Sequence, residues 1–203
     1  MSNWIITPDK YLTEEETKQL RKACREASIL AKTRGVQAPV RDALIINLAL
    51  GTGLRVSEIA NLKIEDLHLK KGQNSLLVKN GKGNKDRLVT FSVKLKKQIQ
   101  AYLAYRRSNS PYLFPSEREE QITRSAVQKV FKKFAKKAGI APHYSIHSLR
   151  HTYATNLYKA SSYNLRLVQK QLGHANISTT TVYSDVISKD LEEALENLEL
   201  DEE

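Results

Sequence analysis

The chain has 203 residues, with 33 Lys and Arg against 22 Asp and Glu for a formal net charge of +11. That length suits one large domain, or one domain plus a small appendage, and allows a core that needs no covalent staple. Cys24 is the only cysteine, which excludes an intramolecular disulfide, zinc sites built on paired thiolates and CxxC redox chemistry, and fits a reducing cytoplasm.

The opening segment, MSNWIITPDKYLTEEE, has no basic n-region and no long apolar h-region. Apolar runs such as Ala43 to Leu50 are too short for a membrane span, so the chain reads as soluble and unexported. From Asp185 onward there are nine carboxylates and one base, Lys189. Residues 1–184 therefore hold 32 of the 33 bases but only 13 of the 22 acids, a charge of +19. A body this basic, followed by an acidic tail, points to a polyanionic partner and leaves the chemistry open.

Thr13-Glu14-Glu15-Glu16 is a capping box that predicts a helix to about Ser28, its acidic first turn suited to the helix dipole. A loop through Gly35 and Pro39 should follow, then a buried helix from Asp42 stopped by Gly51, then a short helix from Arg55 to Asn61. Residues 67–91, with turn signals at Lys71-Gly72-Gln73-Asn74 and Gly81-Lys82-Gly83-Asn84, predict a three-stranded antiparallel sheet. Helices are expected again over Ser92 to Arg107, Thr123 to Ala138, Ser145 to Ala160 and Asn164 to Leu172, the last ended by Gly173. A short helix near Ser178 to Tyr183 and a tail helix from about Ser188 complete the pattern. No repeat or low-complexity linker divides the chain, so the expected fold is mainly α with a small antiparallel β-sheet, an α+β domain.

Between Thr123 and Ala138, Val127, Val130, Phe131 and Phe134 share one face while Lys129, Lys133 and Lys136 take others. Those lysines are read either as a solvated face or as contacts to a phosphate backbone.

Three constellations carry chemistry. Gly51-Thr52-Gly53-Leu54-Arg55-Val56-Ser57-Glu58 places an arginine just after a glycine turn where a helix begins, its guanidinium fork beside free backbone N–H groups. The plain alternative is a surface arginine paired with Glu58 at i+3. Gly81-Lys82-Gly83-Asn84-Lys85-Asp86-Arg87 sits at a hairpin tip, where glycines let a lysine close on a phosphate; the plain alternative is an ordinary turn. The third runs from His147-Ser148-Leu149-Arg150-His151 to Leu172-Gly173-His174 and then to Tyr183. His147 and Arg150, three apart, share a helix face and can address one oxyanion. No Walker A loop occurs, and although His147 and His151 are spaced i,i+4 beside His143 and His174, the glutamate of an HExxH zinc site is replaced by Ser148.

The strings TGLRVSEIANL, GKGNKDRLV, HSLRHTYAT and LGHANISTTTVY, in this order, resemble the boxes of the tyrosine recombinases, the phage-integrase and Xer-type family. The resemblance runs from about Leu12 to Val186. It implies a tyrosine recombinase catalytic-domain fold over residues 1–187 and an acidic tail helix over 188–203. The separate N-terminal DNA-clamping domain usual in the family is expected to be absent from these 203 residues, which are either the catalytic fragment of a longer protein or a naturally minimal enzyme. By the same resemblance the catalytic set is Arg55, Lys82, His147, Arg150, His174 and Tyr183.

The activity that this resemblance implies is that of a site-specific DNA recombinase, which cuts and rejoins strands through a 3′-phosphotyrosyl link, without metal, ATP or other cofactor. In the implied mechanism Arg55 and Arg150 grip the non-bridging phosphate oxygens, and His174 hydrogen-bonds one of them. His147 orients or deprotonates Tyr183, a phenol with an ordinary pKa of about 10, and Lys82 protonates the leaving 5′-oxygen, with Lys85 its rival. The partners implied are double-stranded DNA and further copies of the chain in a synaptic tetramer, with no membrane, in the cytoplasm. Leu191, Leu195 and Leu198 stripe the tail either for packing within the chain or for docking on a neighbouring protomer. Competing readings are DNA relaxation of the type IB topoisomerase kind and a DNA-binding module without catalysis.

Overall fold

A computed structural model describes residues 8–79 and 86–173. Within them Thr13 opens α1 (Glu14–Thr33): its side chain accepts from the Glu16 N–H at 3.2 Å, and the Glu16 carboxylate accepts from the Thr13 N–H at 2.8 Å. This is the expected capping box, but the helix continues past Ser28 because the segment after it carries helix formers and buries Ala31. Pro39 does not lie in a loop. It occupies the first turn of α2 (Ala38–Thr52), where a missing N–H costs nothing.

Leu44, Ile45, Ile46 and Leu48 of α2 are almost wholly buried, the mark of a helix apolar all round at the centre of a core. Helices α1, α4 (Val93–Tyr105), α5 (Arg124–Lys137) and α6 (Ile146–Ala160) all pack against it. Gly51 is not the helix stop. It lies inside α2 where Leu95 of α4 comes so close that a Cβ would be 2.7 Å from its Cδ2. The stop is Gly53, at φ +64, which sends the chain directly into α3 (Val56–Asn61).

After a 3₁₀ turn at Ile64–Asp66 come β1 (Leu67–His68), β2 (Ser75–Val78) and β3 (Arg87–Thr90). They form the expected three-stranded antiparallel sheet in the order β1-β2-β3, with Leu76 opposite Val89 and Val78 opposite Arg87. Ser92, Thr123, Ser145 and Asn164 cap α4, α5, α6 and α7 (Leu165–Leu172), each accepting a backbone N–H. Phe114, Phe131 and Phe134 fill the main core, where truncation of one ring to Ala costs about 3–5 kcal/mol.

A second, smaller cluster of Ala154, Tyr158, Val168 and Leu172 joins α6 to α7. Helix α7 also rests on β3, the Thr90 N–H donating to Gln171 Oε1 at 3.4 Å. The segments expected to hold the second hairpin turn, the helix near Ser178 to Tyr183 and the tail helix lie outside the described residues. Among the described residues, no helix is long and apolar enough to cross a membrane.

Candidate active site

The left-handed turn at Gly53 is the pivot. Two residues later Arg55 becomes the N-cap of α3, and its backbone N–H donates to the Glu58 carboxylate at 2.8 Å while its Nη1 donates to Glu58 Oε1, also at 2.8 Å. The i+3 pairing weighed as the plain reading of Arg55 is therefore present, and it fixes the guanidinium rather than leaving it a loose surface charge. From β3, Arg87 meets the same carboxylate as a fork, Nη1 to Oε1 and Nη2 to Oε2 at 2.9 Å each. The Glu58 side chain is only 8% exposed. Its burial alone favours the neutral acid, but the hydrogen bond from Arg87 and that from the Arg55 N–H outweigh it and hold the pKa at about 2. One carboxylate between two guanidiniums leaves this corner net positive.

The opposite wall is α6. Arg150 is buried, with Nη1 donating to the Gly53 carbonyl and Nη2 to the Leu172 carbonyl at 3.0 Å. One side chain thus ties the turn leading into Arg55 to the end of α7, two residues before His174. Ser145 caps α6 and accepts the His147 N–H at 3.2 Å, which sets His147 on the first turn, one helical step before Arg150. The His147 pKa is lowered by partial burial, then by the positive charges of Arg150 and Arg55, so the ring is neutral at pH 7 and open to a proton. A turn further along, His151 is lowered to about 4 by burial and by Arg150, His147 and Lys10.

Arg55, His147 and Arg150 are accordingly brought to one place, with Leu172 and Gly173 at its edge. Lys82, Lys85, His174 and Tyr183 lie outside the described residues, as does the tail over 188–203. Among the described residues no three His, Cys, Asp or Glu side chains are grouped to hold a metal ion. Cys24 lies in the core, its thiol pushed up to about 12 by burial. Several α5 lysines are engaged within the fold: Lys132 Nζ donates to the Tyr144 carbonyl at 2.6 Å, and Lys133 lies 3.4 Å from Asp42.

Arg87 is the member that sequence reasoning passed over. Strand alternation carried the signal: Val89 is buried, Leu88 is 53% exposed, and Arg87 shares the inward face of Val89. A strand with its leucine outside and its arginine inside announces a buried partner for that arginine.

The model of the phage integrase family matches residues 10–189. Tyrosine recombinase XerA of Pyrococcus furiosus is 41% identical over 197 residues, covering 96% of this chain and 63% of its relative. Tyrosine recombinase XerC of Thermodesulfovibrio yellowstonii is 34% identical over 192 residues, covering 90% of this chain and 60% of that one. The structure is similar to a crystal structure of XerA recombinase, with a TM-score of 0.74 and 29% identity over 97% of this chain and 65% of that one. It is also similar to a post-cleavage complex of the XerH site-specific recombinase bound to palindromic difH substrate, with a TM-score of 0.76 and 28% identity over 93% of this chain and 53% of that one.

A helical domain with a three-stranded sheet and two arginines converging on one histidine is the architecture of a tyrosine recombinase catalytic domain. The chain belongs to the phage integrase family. It spans about 63% of the length of the first of the curated relatives it matches.

Proposed function

We propose that residues 1–187 form the catalytic domain of a site-specific DNA recombinase that cuts and rejoins strands through a 3′-phosphotyrosyl intermediate. The observation that carries this reading is the double anchorage of Arg150 on the Gly53 and Leu172 carbonyls, which draws Arg55, His147 and the end of α7 to one positively charged corner. A phosphodiester repels nucleophiles by its own charge, so a site that holds two guanidiniums in fixed positions supplies what its transition state needs.

Arg55 and Arg150 take the non-bridging oxygens, and His174 donates to one of them. Neutral His147 accepts the phenol proton as the Tyr183 oxygen bonds to phosphorus. The bond from phosphorus to the 5′-oxygen breaks, and Lys82 delivers the proton that makes the leaving group a hydroxyl. The covalent link retains the bond's free energy, so attack by a 5′-hydroxyl of another strand reverses the step without ATP. Double-stranded DNA is the substrate, held largely through counterion release by the basic body. Exchange between two sites takes place in a tetramer of protomers, in the cytoplasm. The names and complexes of the relatives favour recombination over relaxation and over binding without cutting.

Covalent capture tests this. The chain and its Tyr183→Phe form are incubated in EDTA with supercoiled plasmid and with nicked duplexes from the source genome, then denatured. The reading requires a denaturant-resistant, protease-removable adduct for the native chain and none for Tyr183→Phe, with salt-sensitive DNA binding nearly unchanged. Equal capture by both forms sinks Tyr183 as the nucleophile.

A further inference from the structure

Arg87 follows the hairpin box and lies 29 residues from the carboxylate it grips. Its side chain is 12% exposed, and both terminal nitrogens are committed to Glu58 in the fork already described. The stem of the same side chain lies across Gly173: a Cβ there would stand 2.5 Å from Arg87 Cδ, 2.8 Å from Nε and 3.1 Å from Cζ. Gly173 is at φ +67, so this position demands a glycine both for its backbone and for the arginine that covers it. Arg87 Nε has no hydrogen-bond partner among the described residues, an orphan donor that a simple surface ion pair would not carry.

Arg87 therefore touches two of the family boxes at once. Through Glu58 it sets the carboxylate that holds the Arg55 backbone and guanidinium. Through Gly173 it abuts the residue immediately before His174. It is the first residue of β3, five residues after Lys82 in the sequence.

We propose that Arg87 is a positioning residue that locks Arg55, by way of Glu58, and Gly173 at the end of α7 into one rigid arrangement around the scissile phosphate. This rests on the phosphotyrosyl reading above. Its role is to orient the groups that stabilise the phosphorane-like transition state, and it takes no part in protonating the leaving group. Loosening Arg55 by a fraction of a helical turn lowers the chemical rate while leaving the basic surface that binds DNA as it was.

The test is single-turnover cleavage of nicked duplexes at saturating DNA, by the full chain and its Arg87→Met and Arg87→Lys forms. Each is run with the natural 5′-oxygen leaving group and with a bridging 5′-sulfur, which departs without a proton donor. Arg87→Met should lower the rate constant about 100-fold on both substrates alike, with the fraction cleaved and DNA affinity held. Arg87→Lys, which keeps the charge without the fork, should fall between it and the native chain. Because Arg87 acts through Glu58, adding Glu58→Gln to Arg87→Met should lower the rate far less than the product of the two single effects.

Recovery of Arg87→Met on the sulfur substrate would assign Arg87 to the Lys82 hairpin and overturn the proposal. A reduced fraction cleaved with an unchanged rate constant would make the role one of folding, and weaker binding with an unchanged saturated rate would make it a phosphate contact. An Arg87→Lys form as fast as the native chain would overturn the fork. Absence of any adduct from the native chain on both substrates refutes the phosphotyrosyl reading itself, and is told apart by needing no variant.

Discussion

The two walls of the site hold their arginines by different physics. On the α3 and β3 wall, Arg55 is fixed by a buried carboxylate that it shares with Arg87. On the α6 and α7 wall, Arg150 is fixed by the carbonyls of Gly53 and Leu172. A carbonyl orients a guanidinium without cancelling its charge, whereas a carboxylate orients it and neutralises part of it. The first wall gains rigidity at some loss of positive potential, and the second keeps its potential by using backbone acceptors that would otherwise need partners at helix ends. Under the proposed function, a phosphate between them would meet Arg55 with its charge tempered by Glu58 and Arg150 anchored on two backbone carbonyls.

Arg150→Ala should produce the largest effect. It removes the guanidinium and also frees the Gly53 and Leu172 carbonyls. We expect strand cleavage to fall about 10²–10³-fold. Stability should drop by about 1–3 kcal/mol as the carbonyls lose their donors. Single-turnover capture and urea unfolding read the two separately. Arg150→Lys reaches one carbonyl at best, so it should restore part of the stability and little of the rate. Full recovery of cleavage by lysine would mean that charge alone matters on this wall.

Gly53 lies where the walls meet, and it sharpens the contrast between a turn that positions something and one that does not. A Cβ at Gly53 would run into the Tyr153 ring and stand 2.8 Å from Leu172 Cδ2, whereas a Cβ at Gly35, at nearly the same φ, meets nothing within 4 Å. Gly35→Ala should lower the melting temperature by roughly 4 °C through backbone strain alone. Gly53→Ala should lower it by at least about twice as much, because overpacking adds to the strain, and should displace the carbonyl on which Arg150 rests. Equal shifts for the two would show that the Tyr153 and Leu172 side chains yield freely.

Most of the helical scaffold was legible because local rules act within a few residues: Thr13, Ser92, Thr123, Ser145 and Asn164 each announce a helix start, and each caps one. The errors occurred where packing decides. Gly51 reads as a stop from sequence, yet the approach of Leu95 keeps it inside α2, and the same approach is invisible until α4 is folded back. Arg55, His147 and Arg150 could be named from their boxes, and the pairing of Arg55 with Glu58 from its spacing. The role of Arg87 depends on a contact 29 residues away and on a glycine in another helix cap, which no local pattern encodes. Only its place on the inward face of β3 was there to be read.

The two walls also titrate in separate windows. Folding lowers the pKa of His151 on the α6 wall from 6.5 to about 4, so between those values the unfolded chain binds more protons than the folded one, and stability falls as the pH drops through the window. Folding lowers Glu58 on the other wall from 4.5 to about 2, so its contribution is complete above pH 4.5 and is lost as the pH falls toward 2. Urea unfolding of the native chain between pH 7 and pH 2.5 should therefore show two successive losses. His151→Asn should flatten the upper one and leave the lower, while Glu58→Gln should start less stable at pH 7 and converge on the native chain below pH 4.5. The two shifts are of similar size, so the two losses should be comparable. A single loss abolished by either substitution would mean that the walls titrate as one unit, with Arg150 and Arg55 coupled through the Gly53 turn more tightly than their separate anchors imply.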